Sequence, residues 1–129
     1  MKYGKVYDAF TGKYGHEILS TIMSLEAYEK AETVIETLDG MYESGTEVDI
    51  FTGSKLTLDD FAVEAYRSLE SIAKRAWVST LSREIALGFY ESLTLPGYTA
   101  VTICEGITLS RYEIASIWKE THDGQSIYG

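Results

Sequence analysis

Apolar residues recur along the chain with two different periods, and the change of period marks the elements. From Ser24 onward Ala27, Ala31, Val34, Ile35 and Leu38 follow at intervals of three and four, the spacing of one face of an α-helix. Ser24 is placed to cap this helix and Asp39-Gly40 to end it. The preceding Ile18, Leu19, Ile22 and Met23 form a second face offset from the first, so a break is expected near Ser24. A longer helix is predicted from Thr57 or Asp59, with Ala62, Ala65, Tyr66, Leu69, Ile72, Ala73, Ala76 and Trp77 inward. Another starts around Thr80 or Ser82 and turns Leu81, Ile85, Phe89 and Leu93 inward, and a last one starts at Thr108 or Ser110 and buries Ile114, Ile117 and Trp118.

Three runs read as strands that stop at a glycine: 6–12, 48–53 and 101–106. Pro96-Gly97 predicts a type II turn ahead of the third, which is expected to run from Tyr98 to Cys104. The string Asp-x-Phe-Thr-Gly occurs at 8–12 and again at 49–53, each followed by Glu-Ala-Tyr. A duplicated strand-turn-helix unit and chance matching of short strings both account for it. The expectation is a mostly helical α+β domain over residues 1–129, with four to five helices, two or three short strands and a flexible tail at 123–129.

Composition narrows the function classes. The length of 129 residues fits one domain, and 45% hydrophobic with 24% charged residues is ordinary for a globular chain that builds its own core. The single cysteine, Cys104, can form neither an internal disulfide nor a multi-thiolate zinc site. No apolar run reaches the length of a membrane span, and no apolar segment follows the basic start as a signal peptide requires. A soluble chain of the cytoplasm, without membrane contact, is the expectation. The net charge of −9 opposes direct binding to nucleic acid. Residues 16–60 carry the imbalance, with eleven acids against Lys30 and Lys55.

Enzyme signatures are sparse. The glycines form no GxGxxG or Walker loop, and His16-Glu17 lacks the second histidine of a metalloprotease helix. His16 and His122 could meet with carboxylates to serve a small enzyme, or stand apart at element ends. Asp59-Asp60 suits an acid pair, but also a first helical turn, where the macrodipole favours acids. Tyr3, Tyr7 and Tyr14 alternate with Lys2, Lys5 and Lys13, which offers too few cations for a nucleic-acid patch. No catalytic residue, metal site or cofactor is assigned.

The more specific feature is a row of acids. At about 100° per residue, Glu26, Glu29, Glu32, Glu36 and Asp39 share the side opposite the apolar face. They span about 20 Å, near the axial spacing of DNA phosphates at one carboxylate per roughly 4 to 5 Å. Ten tyrosines add material for a protein interface. The function expected is a non-catalytic, acidic interaction module that docks on a basic partner protein, with nucleic-acid-handling proteins as the natural targets of an inhibitor of this kind. Glu26, Glu29, Glu32, Glu36 and Asp39 supply its charge, and Tyr42, Glu43 and Glu47 its rim in the following loop. The alternative is a structural subunit that forms homo-oligomers through tyrosine-rich and helical faces.

Overall fold

The computed structural model describes residues 4–22, 24–104 and 106–129. Its elements run α1 (Lys5–Tyr14), α2 (Glu17–Thr21), α3 (Leu25–Ser44), α4 (Leu58–Ser79), α5 (Arg83–Ser92), β1 (Ala100–Cys104), β2 (Ile107–Ser110) and α6 (Arg111–Thr121). The class is the expected one, mostly helical α+β. The two strands pair antiparallel as a hairpin, with Val101 opposite Leu109 and an irregularity between Thr102 and Cys104.

The helix starts follow side-chain capping. Ser24 Oγ accepts the Ala27 N–H at 3.1 Å, which opens α3 at the expected break. Thr57 with Asp60, and Ser110 with Glu113, close reciprocal capping boxes at the starts of α4 and α6. Ser82 caps α5 through the Ile85 N–H. The expected turn at Pro96-Gly97 is closed by the Tyr98 N–H on the Leu95 carbonyl, with Gly97 at φ +86°. Met23, expected to face the core, lies outside the described residues.

Several expectations are corrected. The run 6–12 is not a strand but the body of α1, because Val6, Tyr7 and Phe10 make a buried stripe at helical spacing. The run 48–53 belongs to no sheet: Val48 bridges Lys55, and the residues between them form a turn. One Asp-x-Phe-Thr-Gly string therefore lies in a helix and the other in a loop, which removes the duplicated unit as a structural repeat. Helix α3 does not stop at Asp39-Gly40. It continues while Leu38, Met41 and Tyr42 still pack inward, and ends at Gly45 with φ +66°. On α5 the buried residue is Ala86, and Ile85 points outward. Within residues 123–129, expected as a flexible tail, two contacts reach back to the body of the domain. Ile127 is buried in the second core cluster, and Arg83 Nη2 donates to Gln125 Oε1 at 3.1 Å.

The core has two clusters, both packed on α4. Val6, Phe10, Ala31, Ile35, Ala65 and Leu69 centre the first, where α1, α2 and α3 pack against α4. Val78, Leu109, Ile114, Trp118 and Ile127 centre the second, at the far end of α4. Ile103 of β1 packs against both.

An ion-paired seam holds α4 to α6. Lys74 Nζ lies 2.8 Å from Glu113 Oε2 and 3.2 Å from Glu70 Oε1. Hydrogen bonding to Lys74 holds the Glu113 carboxyl below its usual range despite partial burial, and the Ser110 N–H adds to the effect. Desolvation works against the Lys74 ammonium, but its bonds to Glu113 and Glu70 outweigh that and raise its pKa. A carboxyl with a depressed folded-state pKa contributes stability above its ordinary value of 4.5, and that stability is lost as pH falls through the folded value. The lysine contribution is complete below 10.5 and lost as pH rises through the raised value. Between these limits the seam is indifferent to pH. Thermal melts from pH 7 down to about 3 should show an acid decline that is shallower in Glu113→Gln than in the parent protein.

Candidate functional site

Helix α3 carries the acidic row on a rigid, doubly capped support. Glu26, Glu29 and Glu36 are exposed, and Glu32 and Asp39 are half-buried. Glu26 makes an i,i+4 ion pair with Lys30 at 3.5 Å. Both side chains are well exposed, so the pair offsets little of the local charge. Glu29 and Glu36 form no ion pair with any described residue.

Asp39 has a different task. Its Oδ1 accepts the Val6 N–H at 3.2 Å, at the start of α1, where the helix dipole favours a carboxylate. Gly4 makes this approach possible, because a Cβ there would meet the Asp39 carboxylate at 2.7 to 2.8 Å. Asp39 thus acts as a cap in trans from 33 residues away. Asp39→Ala should lower stability by about 0.5 to 2 kcal/mol, the usual effect of losing a helix N-cap, measured by urea denaturation.

The rim residues lie elsewhere than the sequence suggested. Because α3 continues to Ser44, Tyr42 and Glu43 belong to its last turn and not to a loop. Tyr42 turns to the inner side, edge-on to Phe61 with ring centres 5.8 Å apart. Together with Glu43 and Glu47 it lines a cleft of about 540 Å³, shared with Lys5 and Lys55. Lys5 Nζ lies 4.0 Å from Glu43. The cleft therefore balances two lysines against two glutamates, and the acidic face of α3 runs from Glu26 to Glu36.

The candidate catalytic groups are not brought together. His16 is exposed at the N-cap position of α2, makes no capping bond with its side chain, and has its ring 6.3 Å from that of Tyr7, a residue of the first cluster. His122 follows α6, stacked on Trp118 at 3.5 Å in the second cluster, with Nδ1 2.9 Å from the Trp118 carbonyl oxygen. Among the described residues no three His, Cys, Asp or Glu side chains cluster as metal ligands. Asp59 pairs with Lys13 at 2.8 Å, and Asp60 completes the α4 capping box. Cys104 is half-buried on β1. Of the basic and aromatic set at the start, Lys2 and Tyr3 lie outside the described residues, Tyr7 is buried, and Tyr14 stacks on Tyr66 at 4.2 Å.

Two surface features were missed in the sequence. Arg111 sits 4.1 Å from the Tyr90 ring centre and 5.5 Å from that of Tyr112, and Tyr128 packs edge-on to Tyr90. The second is the connection between α3 and α4, whose tip exposes Ile50 and Phe51. Asp49 and the 52–54 run of Thr-Gly-Ser, all turn formers, were the available signal for a tip instead of a strand.

No helix among the described residues is long and apolar enough to cross a membrane. Comparison with known families, curated proteins and solved structures finds no significant match to the chain.

Proposed function

We propose that the protein is a non-catalytic interaction module of the cytoplasm whose α3 face docks on a basic partner protein. The partner class is a nucleic-acid-handling protein, and occupation of its basic groove makes this chain an inhibitor. The observation that carries the reading is the exposure of Glu29 and Glu36, without ion pairs to described residues, on a capped 20-residue helix of a chain with net charge −9. With Asp39 committed to α1, the docking row is Glu26, Glu29, Glu32 and Glu36. It spans about 15 Å, or roughly one carboxylate per 5 Å, which suits a groove built to follow phosphates.

Such a contact gains association rate through charge steering and loses it as salt shortens the Debye length from about 10 Å at 0.1 M to about 3 Å at 1 M. Capture from native host lysate on immobilised protein should therefore return a basic protein at low salt and lose it at high salt. Recovery of the same proteins at both salt levels would remove the electrostatic reading.

The tyrosine cluster favours a second reading, homo-oligomeric assembly. Tyr112 and Tyr128 are exposed beside an arginine that pairs with no described carboxylate, and tyrosine and arginine are the residues enriched at interface hot spots. A mass that rises with concentration in sedimentation would support it.

A further inference from the structure

The connection between α3 and α4 is braced by its own hydrogen bonds. Val48 and Lys55 form an antiparallel bridge, the Asp49 N–H donates to the Ser54 carbonyl at 2.8 Å, and the Leu56 N–H donates to the Glu47 carbonyl at 3.1 Å. Inside this frame the Gly53 N–H donates to the Asp49 carbonyl at 2.8 Å, with Gly53 at φ +71°. The Asp49 carboxylate accepts the Phe51 N–H at 2.8 Å and the Thr52 N–H at 3.2 Å, which fixes the backbone of the tip. The two side chains held outermost are Ile50, 87% exposed, and Phe51, 91% exposed.

A lone exposed hydrophobe is ordinary, and the tip of a turn is normally polar. Two large adjacent apolar side chains on a self-braced tip present a wedge whose ordering is complete before binding, which lowers the entropy lost on association. We infer that Ile50 and Phe51 are the apolar anchor of the docking surface, with Phe51 entering an apolar pocket on the basic partner. This rests on the function proposed above. Charge selects the occupant. Glu43, Glu47, Asp49, Asp59 and Asp60 flank the tip in sequence, and although Lys5 approaches Glu43, Lys13 pairs with Asp59 and Lys55 lies at the base, acids remain in excess. A pocket ringed by Lys and Arg complements that collar. A second copy of this chain would bring like charge to it, and an anionic lipid surface would repel it. The anchor follows the C-terminal end of α3, the helix that carries the acidic row, so the inference assigns the two to one interface with a charged side and a desolvated end.

The test places a benzophenone amino acid at position 51 or at position 36 of the full chain, irradiates each in native host lysate, and identifies the cross-linked peptides by mass spectrometry. The inference expects both positions to label one basic protein, position 51 at an apolar pocket bordered by Lys or Arg. Binding of that purified protein should weaken about tenfold or more in Phe51→Ser, the scale of a lost aromatic anchor, and should do so by a similar factor at each salt concentration where the parent protein still binds. Binding by Glu29→Lys with Glu36→Lys should differ from the parent only at low salt. Labelling from position 36 alone, with Phe51→Ser binding within about twofold of the parent, overturns the anchor and leaves the acidic face standing. Labelling between copies of this chain, or Phe51-dependent pelleting with phosphatidylserine vesicles, overturns it in favour of the other occupants. Labelling from neither position overturns both the anchor and the proposed function. The cross-linking result does not depend on how well Phe51→Ser folds.

Discussion

Replacing Glu26, Glu29 and Glu36 together by lysine is expected to abolish partner capture while leaving the fold intact. The triple reversal moves the net charge from −9 to −3 and turns the centre of the docking row positive. Like charge at a basic groove costs several kcal/mol, so affinity should fall by at least about a hundredfold. The same side chains contribute little to folding, because all three are exposed and only Glu26 has an ion-paired neighbour, Lys30. Losing that pair and placing a cation in the first turn of α3 should together cost about 1 kcal/mol. Far-UV circular dichroism should be unchanged and the melting temperature lower by only a few degrees. Capture equal to that of the parent protein would eliminate the acidic face as the docking site.

The largest stability effect is expected from Phe10→Ala, about 3 to 5 kcal/mol in urea denaturation. Phe10 is fully buried in the first cluster and has the Tyr14 ring as a neighbour at 5.8 Å. Truncation removes its transfer energy and leaves a cavity where α1 meets α4. A small domain has only about 5 to 15 kcal/mol in total, so the variant should be close to unfolding near its physiological temperature. Thr11→Ala, one position along α1 and only partly buried, should cost far less and provides the control. An equal loss at both positions would mean that α1 does not pack as a helix with Phe10 inward.

These two results probe the part of the molecule that was legible in the sequence and the part that was not. Helices α3, α4 and α6 could be read because their information is local: a three-and-four apolar spacing behind Ser24, Thr57 and Ser110. Helix α1 could not. Val6, Tyr7 and Phe10 ahead of Gly12 carry strand propensity, and what holds them helical is packing on α4 together with an acid 33 residues away, Asp39, at the helix start. Gly40 misled for a related reason. Glycine within a helix costs about 1 kcal/mol, which reads as a stop until the inward contacts of Met41 and Tyr42 outweigh it.

The candidate site divides along the same line. Periodicity alone placed Glu26, Glu29 and Glu36 outward, but the diversion of Asp39 to α1 and the inward turn of Tyr42 depend on tertiary neighbours. The exposure of Ile50 and Phe51 was hidden because an apolar run reads as a strand, and only the absence of a pairing partner makes it a tip.

Helix α4 is a rod of 22 residues, about 33 Å long, to which both core clusters are fastened. The acidic helix runs alongside this rod, from Tyr42 against Phe61 near its start to Glu26 and Ala27, which share a cleft with Ala76 and Ser79 near its end, and the tyrosine–arginine cluster belongs to the elements gathered at that second end. A rod of this kind fixes their separation as a ruler does, so any molecule that touches both patches at once must offer matching features at one set distance.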